Sequence, residues 1–162
     1  MILVAFTLFH VALSLIGIGA GFVVVYGLMA SKRLDGWTGL FLITTVATSA
    51  TGFLFPVHGF LPSHAIGILS LIALAIAILA RYRFGLIGGW RRTYVVTAVI
   101  ALYFNFFVLI VQLFRKVPAL KAIAPTQSET PFQMAQLAAL LLFIFLGIRA
   151  AMRFRTESPH TA

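Results

Sequence analysis

Gly52–His64, read GFLFPVHGFLPSH, lies within a run that contains no Lys, Arg, Asp or Glu from Gly36 to Ala80. A helix needs roughly 20 apolar residues to cross hydrocarbon, so this run is too long for one crossing and about right for two. Pro56 and Pro62 each lack a backbone donor and restrict the residue before them, which marks where the chain turns back. The stretch reads as a membrane hairpin whose tip carries His58 and His64.

The composition around the hairpin agrees. Of 162 residues, 62% are hydrophobic and 9% charged, and the mean hydropathy is +1.09. Soluble domains carry charge on roughly a quarter of their residues; this is a chain whose exterior faces lipid. One transmembrane domain over residues 1–155 is expected, with a frayed tail at 156–162. Cysteine is absent, which excludes disulfides, thiolate nucleophiles and thiolate-bound metals. The formal charge of +9 comes from 12 basic against 3 acidic residues. The basic residues stand in short runs beside apolar segments, a pattern that suits phospholipid headgroups and topology rather than nucleic acid.

Working outward, the fold class is all-α, an integral membrane bundle of five transmembrane helices at about 2–29, 37–56, 63–80, 93–114 and 133–151. The first is longer than a signal-peptide core and follows no basic n-region, so it reads as a retained helix. Ser14, Gly17 and Gly21 give it a narrow face. In the second, Thr44, Thr48 and Gly52 recur every four residues and should face inward, the threonines bonding to carbonyls one turn back. Ser63 is expected to cap the third, whose narrow face is Gly67, Ser70, Leu74 and Ala77. In the fourth, Thr97, Asn105, Gln112 and Lys116 approximate one stripe, which places Asn105 and Gln112 as interior polar residues. Residues 115–132 form a Pro-rich outer loop, with Val117, Leu120 and Ile123 as a short interfacial turn.

Five crossings would put the termini on opposite sides. The positive-inside rule then places Lys32, Arg33, Arg81, Arg83, Arg91, Arg92, Arg149, Arg153 and Arg155 in the cytoplasm, with Arg115, Lys116 and Lys121 outside. The expected orientation is N-terminus outside and C-terminus cytoplasmic. His10, His58, His64 and the loop Thr126-Gln127-Ser128-Glu129 then share the outer half, and they are the candidate cofactor-binding residues.

Two imidazoles on facing helices, with small residues to admit a flat ring, can hold haem b, and His10 with His64 is the best-matched pair. His10, His58 and His64 are also the candidate metal ligands, though their spacing follows no metal motif. Glu129 paired with a loop histidine could conduct protons or hydrogen-bond a quinone; the structural alternative pairs it with Lys121 or Arg115, with Ser128 or Thr130 capping the last helix. No zinc-protease motif, glycine-rich phosphate loop, paired carboxylates or catalytic triad is present, so no catalytic residue is assigned.

The GFLFP…PSH hairpin, the YFNFFVLIVQ helix and the APTQSETPF loop together resemble a group of small bacterial inner-membrane proteins described only as hypothetical. The resemblance implies a bacterial inner-membrane location and brings no activity with it. The leading functional expectation is a non-enzymatic accessory or binding subunit, packed through small-residue faces or the 125–131 loop against a membrane-protein partner or a second copy. A haem- or quinone-binding electron-transfer protein and a small-solute transporter are the alternatives.

Overall fold

The computed structural model describes residues 1–56 and 62–155. The order of elements is α1 (Ile2–Met29), α2 (Asp35–Gly52), α3 (Pro62–Ile78) running into a π-helical turn at Leu79–Arg83, α4 (Trp90–Lys116), the short α5 (Pro118–Ile123) and α6 (Thr130–Arg153). The chain is helical and membrane-spanning, and so in contact with phospholipid. The hairpin tip, including His58 and Phe60, and the tail from residue 156 lie outside the described residues.

Four helices among the described residues, not five, are long and apolar enough to cross a membrane: α1, α3 with its π-turn, α4 and α6. The expected second span at 37–56 does not meet that standard, because α2 is short and rich in hydroxyl side chains. It begins at Asp35, ends already at Gly52 before a turn at Phe53 and Leu54, and carries Thr38, Thr44, Thr45, Thr48, Ser49 and Thr51. Its 18 residues reach about 27 Å at 1.5 Å per residue, short of a hydrocarbon core of about 30 Å. It owes its place to its neighbours rather than to its own apolarity.

The helices run alternately up and down. α1 and α2 pair antiparallel along their lengths, Gly21 lying against Phe41, Gly17 against Thr44 and Thr45, and Gly52 against His10. A Cβ on Gly21 would stand 2.5 Å from a Leu102 methyl and 3.0 Å from the Phe41 ring, so any larger side chain would have to displace Leu102 where α1, α2 and α4 meet. α3 packs on α2 and α4, and α6 lies in the groove between α1 and α4. Apolar burial from lipid brings little of the gain it brings from water, so close packing at such narrow positions must hold these helices together.

The best-packed core lies towards one end. Leu28, Phe41, Leu74, Tyr94, Val95 and Leu102 are fully buried, whereas the first residues of α1 are exposed. That packed end is also the basic end. Ser31 and Arg155 bond to each other there, and Arg81 meets Arg33 and Asp35. Nine of the twelve basic residues flank helix termini at this end, while Arg115, Lys116 and Lys121 flank the other. Met1 lies about 42 Å away along α1.

Candidate functional site

The polar side chains of the interior gather along α2. Thr44 donates to the Leu40 carbonyl at 2.7 Å and Thr48 to the Thr44 carbonyl at 2.8 Å, the back-bonding expected of inward threonines in an apolar setting. Across the bundle, Ser14 Oγ donates to Asn105 Oδ1 at 2.8 Å, and Asn105 Nδ2 donates to the Ser14 carbonyl at 3.4 Å. Asn105 is buried, as its position near mid-membrane requires. A narrow residue at position 17 lets this happen: a Cβ there would stand 3.0 Å from Thr45 Oγ1, 3.1 Å from Thr44 Oγ1 and 3.3 Å from Asn105 Nδ2.

Gln112 does not join Asn105; it is exposed. Seven residues beyond Asn105, Gln112 lies only about 20° round α4 from it but about 10 Å further along, where the first residues of α1 are themselves exposed and do not cover it. Its place is taken by Gln136 of α6, whose Nε2 donates to the Phe107 carbonyl at 3.3 Å and whose Oε1 is buried without a partner.

His10 Nδ1 lies 2.8 Å from Thr51 Oγ1. The single hydroxyl proton of Thr51 is already directed to the Ala47 carbonyl, 2.7 Å away. Thr51 therefore accepts, His10 Nδ1–H donates, and in the neutral ring Nε2 keeps its lone pair. Phe55 meets this imidazole edge-on at 5.1 Å between centroids, and Phe6 packs on Phe55 at 4.9 Å. His64 stacks on Phe53 with centroids 5.4 Å apart and planes 17° from parallel. The end of α2 thus brings a phenylalanine to each of the two histidines. Among the described residues no three His, Asp or Glu side chains come together; His58 lies outside them. Ser63 stands inside α3, which begins at Pro62.

The loop 124–129 closes on itself. Glu129 Oε1 accepts from the Thr126 hydroxyl at 2.8 Å and the Thr126 amide at 3.1 Å, and Oε2 accepts from the Ser128 amide at 3.1 Å. Desolvation raises its pKa, but the hydrogen bonds from Thr126 and from the Thr126, Glu129 and Ser128 amides outweigh that and hold it below the usual carboxylate value. Among the described residues Glu129 pairs with neither Lys121 nor Arg115, because its own turn has already taken its oxygens. Glu129 itself occupies the N-cap of α6, with no side-chain cap bond from Ser128 or Thr130. Gln127, at φ 61°, donates from Nε2 to the Val111 carbonyl at 2.8 Å and so pins the loop to α4.

One residue was expected only among the cytoplasmic basic flanks. Arg81 at the end of α3 is buried, its guanidinium reaching Asp35 through Nη2 and lying 5.3 Å from the Tyr94 ring centroid. Its Nε and Nη1 and the Tyr94 hydroxyl are buried with no hydrogen-bond partner. The signal was available: Ser70, Leu74 and Ala77 are the buried stripe of α3, and the same alternation of four and three residues lands next on Arg81.

No family model, no curated protein and no solved structure matches the chain.

Proposed function

We propose that this chain is a non-enzymatic accessory or binding subunit of a bacterial inner membrane, and that it packs against another membrane component through the outward face of α6. One observation carries the reading. Only 17% of the apolar stretch of α6 is buried, against 44% for α4, so α6 is attached along one stripe. The narrow residues expected to receive a partner do not remain fully outside: Gly17 and Gly21 are taken up by α2 and α4, and on α6 Ala139 is buried, Gly147 lies against Val99, and Ala135 and Ala151 are half-buried. What α6 presents outward is large, namely Leu137, Leu141, Phe145 and Met152. The Asn105–Ser14 pair reads as a link between helices rather than the wall of a solute path.

Photo-crosslinkers at Leu141 and Phe145 test the reading, with Ile72 on the exposed side of α3 as control. The expected result is one discrete membrane-protein adduct from the α6 positions, absent from Ile72, in a complex that purifies at fixed stoichiometry from mild detergent. Lipid adducts alone, equal at all three positions, would overturn it. By the positive-inside rule the basic end is assigned to the cytoplasm and the N-terminus to the outer side.

A second reading rests on His10. A neutral imidazole tied through Nδ1–H and bearing a lone pair on Nε2 is the form that ligates haem iron or accepts from a quinol hydroxyl; it cannot donate to a quinone carbonyl. This reading expects a Soret band, or extractable quinol, that is lost in His10→Leu. A colourless preparation with no extractable quinol rules it out.

A further inference from the structure

We infer that the outer trough between α4 and α6 is a binding site for one acyl chain of an anionic phospholipid, with the lipid's phosphate at Arg92. α4 and α6 run antiparallel, Phe114 meeting Phe132 at one end of the pair and Val99 meeting Gly147 nearer the other. Between them lies a cavity of about 260 Å³ bordered by Val96, Val99 and Tyr103 on α4 and by Ile144, Gly147 and Ile148 on α6. Val96, Ile144 and Ile148 are exposed, so the trough opens sideways, and both of its walls belong to membrane-spanning helices. It therefore opens into hydrocarbon.

Its dimensions select the occupant. The lining runs from Leu140 to Ile148, about 12 Å of helix rise, so the volume corresponds to a mean section of about 22 Å². That section admits one hydrocarbon chain. A helix about 10 Å across has a section of roughly 80 Å² and is too wide to enter the trough, so it could only lie over the mouth. The floor is low because position 147 has no side chain: a Cβ there would stand 3.4 Å from Val99 Cγ1. Only Tyr103 brings a polar group to the lining.

Charge fixes which lipid. Arg92 is exposed and stands one turn, about 6 Å, beyond Val96 on the same stripe of α4, at the basic end. Arg149, lying 5.9 Å from the Phe145 ring centroid, and Arg153 close the same end of α6. Among the described residues the carboxylates are Asp35, already held by Arg33 and Arg81, and Glu129, at the opposite end and bonded within its own turn. A phosphodiester is the anion that the bilayer supplies at this depth, and beside three arginines with no carboxylate to offset them a headgroup without a choline cation is favoured over a zwitterionic one.

The test compares dioleoylphosphatidylglycerol with dioleoylphosphatidylcholine on the detergent-purified full chain, with bound lipid counted by native mass spectrometry. Wild type is expected to retain the anionic lipid about fivefold better. Arg92→Gln should remove most of that preference, and Gly147→Leu should lower retention of both lipids by filling the trough. Lys121→Gln, a charge removed at the far end, should change neither. If Gly147→Leu does not fold, Ile148→Phe obstructs the same trough from its rim. A phosphatidylglycerol with a diazirine midway along its chain should label Val99 or Ile144. Equal retention in wild type and the trough-filling variant overturns the proposal, because it reduces the effect to surface charge. Disulfide dimers of Ile144→Cys in bilayers overturn it too, by assigning the trough to a second copy.

Discussion

At the scale of single residues, several of the interior polar groups are tied to a specific neighbour, and those ties can be removed one at a time. Asn105→Leu leaves Ser14 Oγ without its acceptor and should cost about 0.5–2 kcal/mol, the range found for polar links between membrane helices. Gly17→Val should cost about 1–3 kcal/mol by forcing α1 from Thr44 and Thr45, with both losses read from unfolding in mixed micelles. Arg81 gives the sharper comparison. Removing a carboxylate from a buried guanidinium leaves a charge uncompensated, whereas an apolar side chain of similar length removes the charge altogether. Asp35→Asn is therefore expected to lower thermal stability more than Arg81→Met. The margin is modest, about 1 kcal/mol, because the Asp35 carboxylate is largely exposed and screened. The opposite order would show that Arg81 is stabilised chiefly by its contact with Tyr94.

At the scale of elements, the two connections beside α4 are held by different means. After the π-turn, where the Phe84 amide bonds to the Leu79 carbonyl at 3.0 Å, the chain passes through Gly85 at φ 59°. An L side chain pays about 1–2 kcal/mol in that left-handed region, so Gly85→Ala should lower stability by about that amount. The 124–129 loop instead depends on a carboxylate. Because the Glu129 pKa is depressed in the folded loop, its contribution is present above the unfolded value and is lost as pH falls through the folded one. Amide exchange at Thr126 and Ser128 should therefore quicken below the ordinary carboxylate range, and Glu129→Gln should show the quickened exchange already at neutral pH. Unchanged protection in that variant would assign the loop's order to the Gln127–Val111 bond instead.

For the whole molecule, the alternation of helices puts residues 88 and 127 at opposite ends of α4, a helix able to cross a membrane. The chain has no cysteine of its own, so single substitutions report cleanly. With the basic end cytoplasmic, an impermeant maleimide should label Gln127→Cys in intact cells and Gly88→Cys only after the membrane is opened. The reverse pattern would invert the orientation, and labelling of both from outside would break the alternation of ends.

What the sequence determined by itself was the set of properties that run along a single line. Apolar length, the runs of arginine and the prolines at 56, 62, 118, 125 and 131 are enough to read helices, their ends and a membrane exterior, because burial in lipid depends on the local stretch alone. The same rule overcounted at α2, whose threonines satisfy themselves on their own carbonyls and pass for apolar until their number is weighed. The tertiary structure decided which polar groups meet. His10 finds Thr51, Ser14 finds Asn105 and Arg81 finds Asp35 across separations of 41, 91 and 46 residues. Such meetings depend on the depth and rotation of two helices at once, and about 10 Å of further depth along α4 is enough to leave Gln112 outside while Asn105 is enclosed.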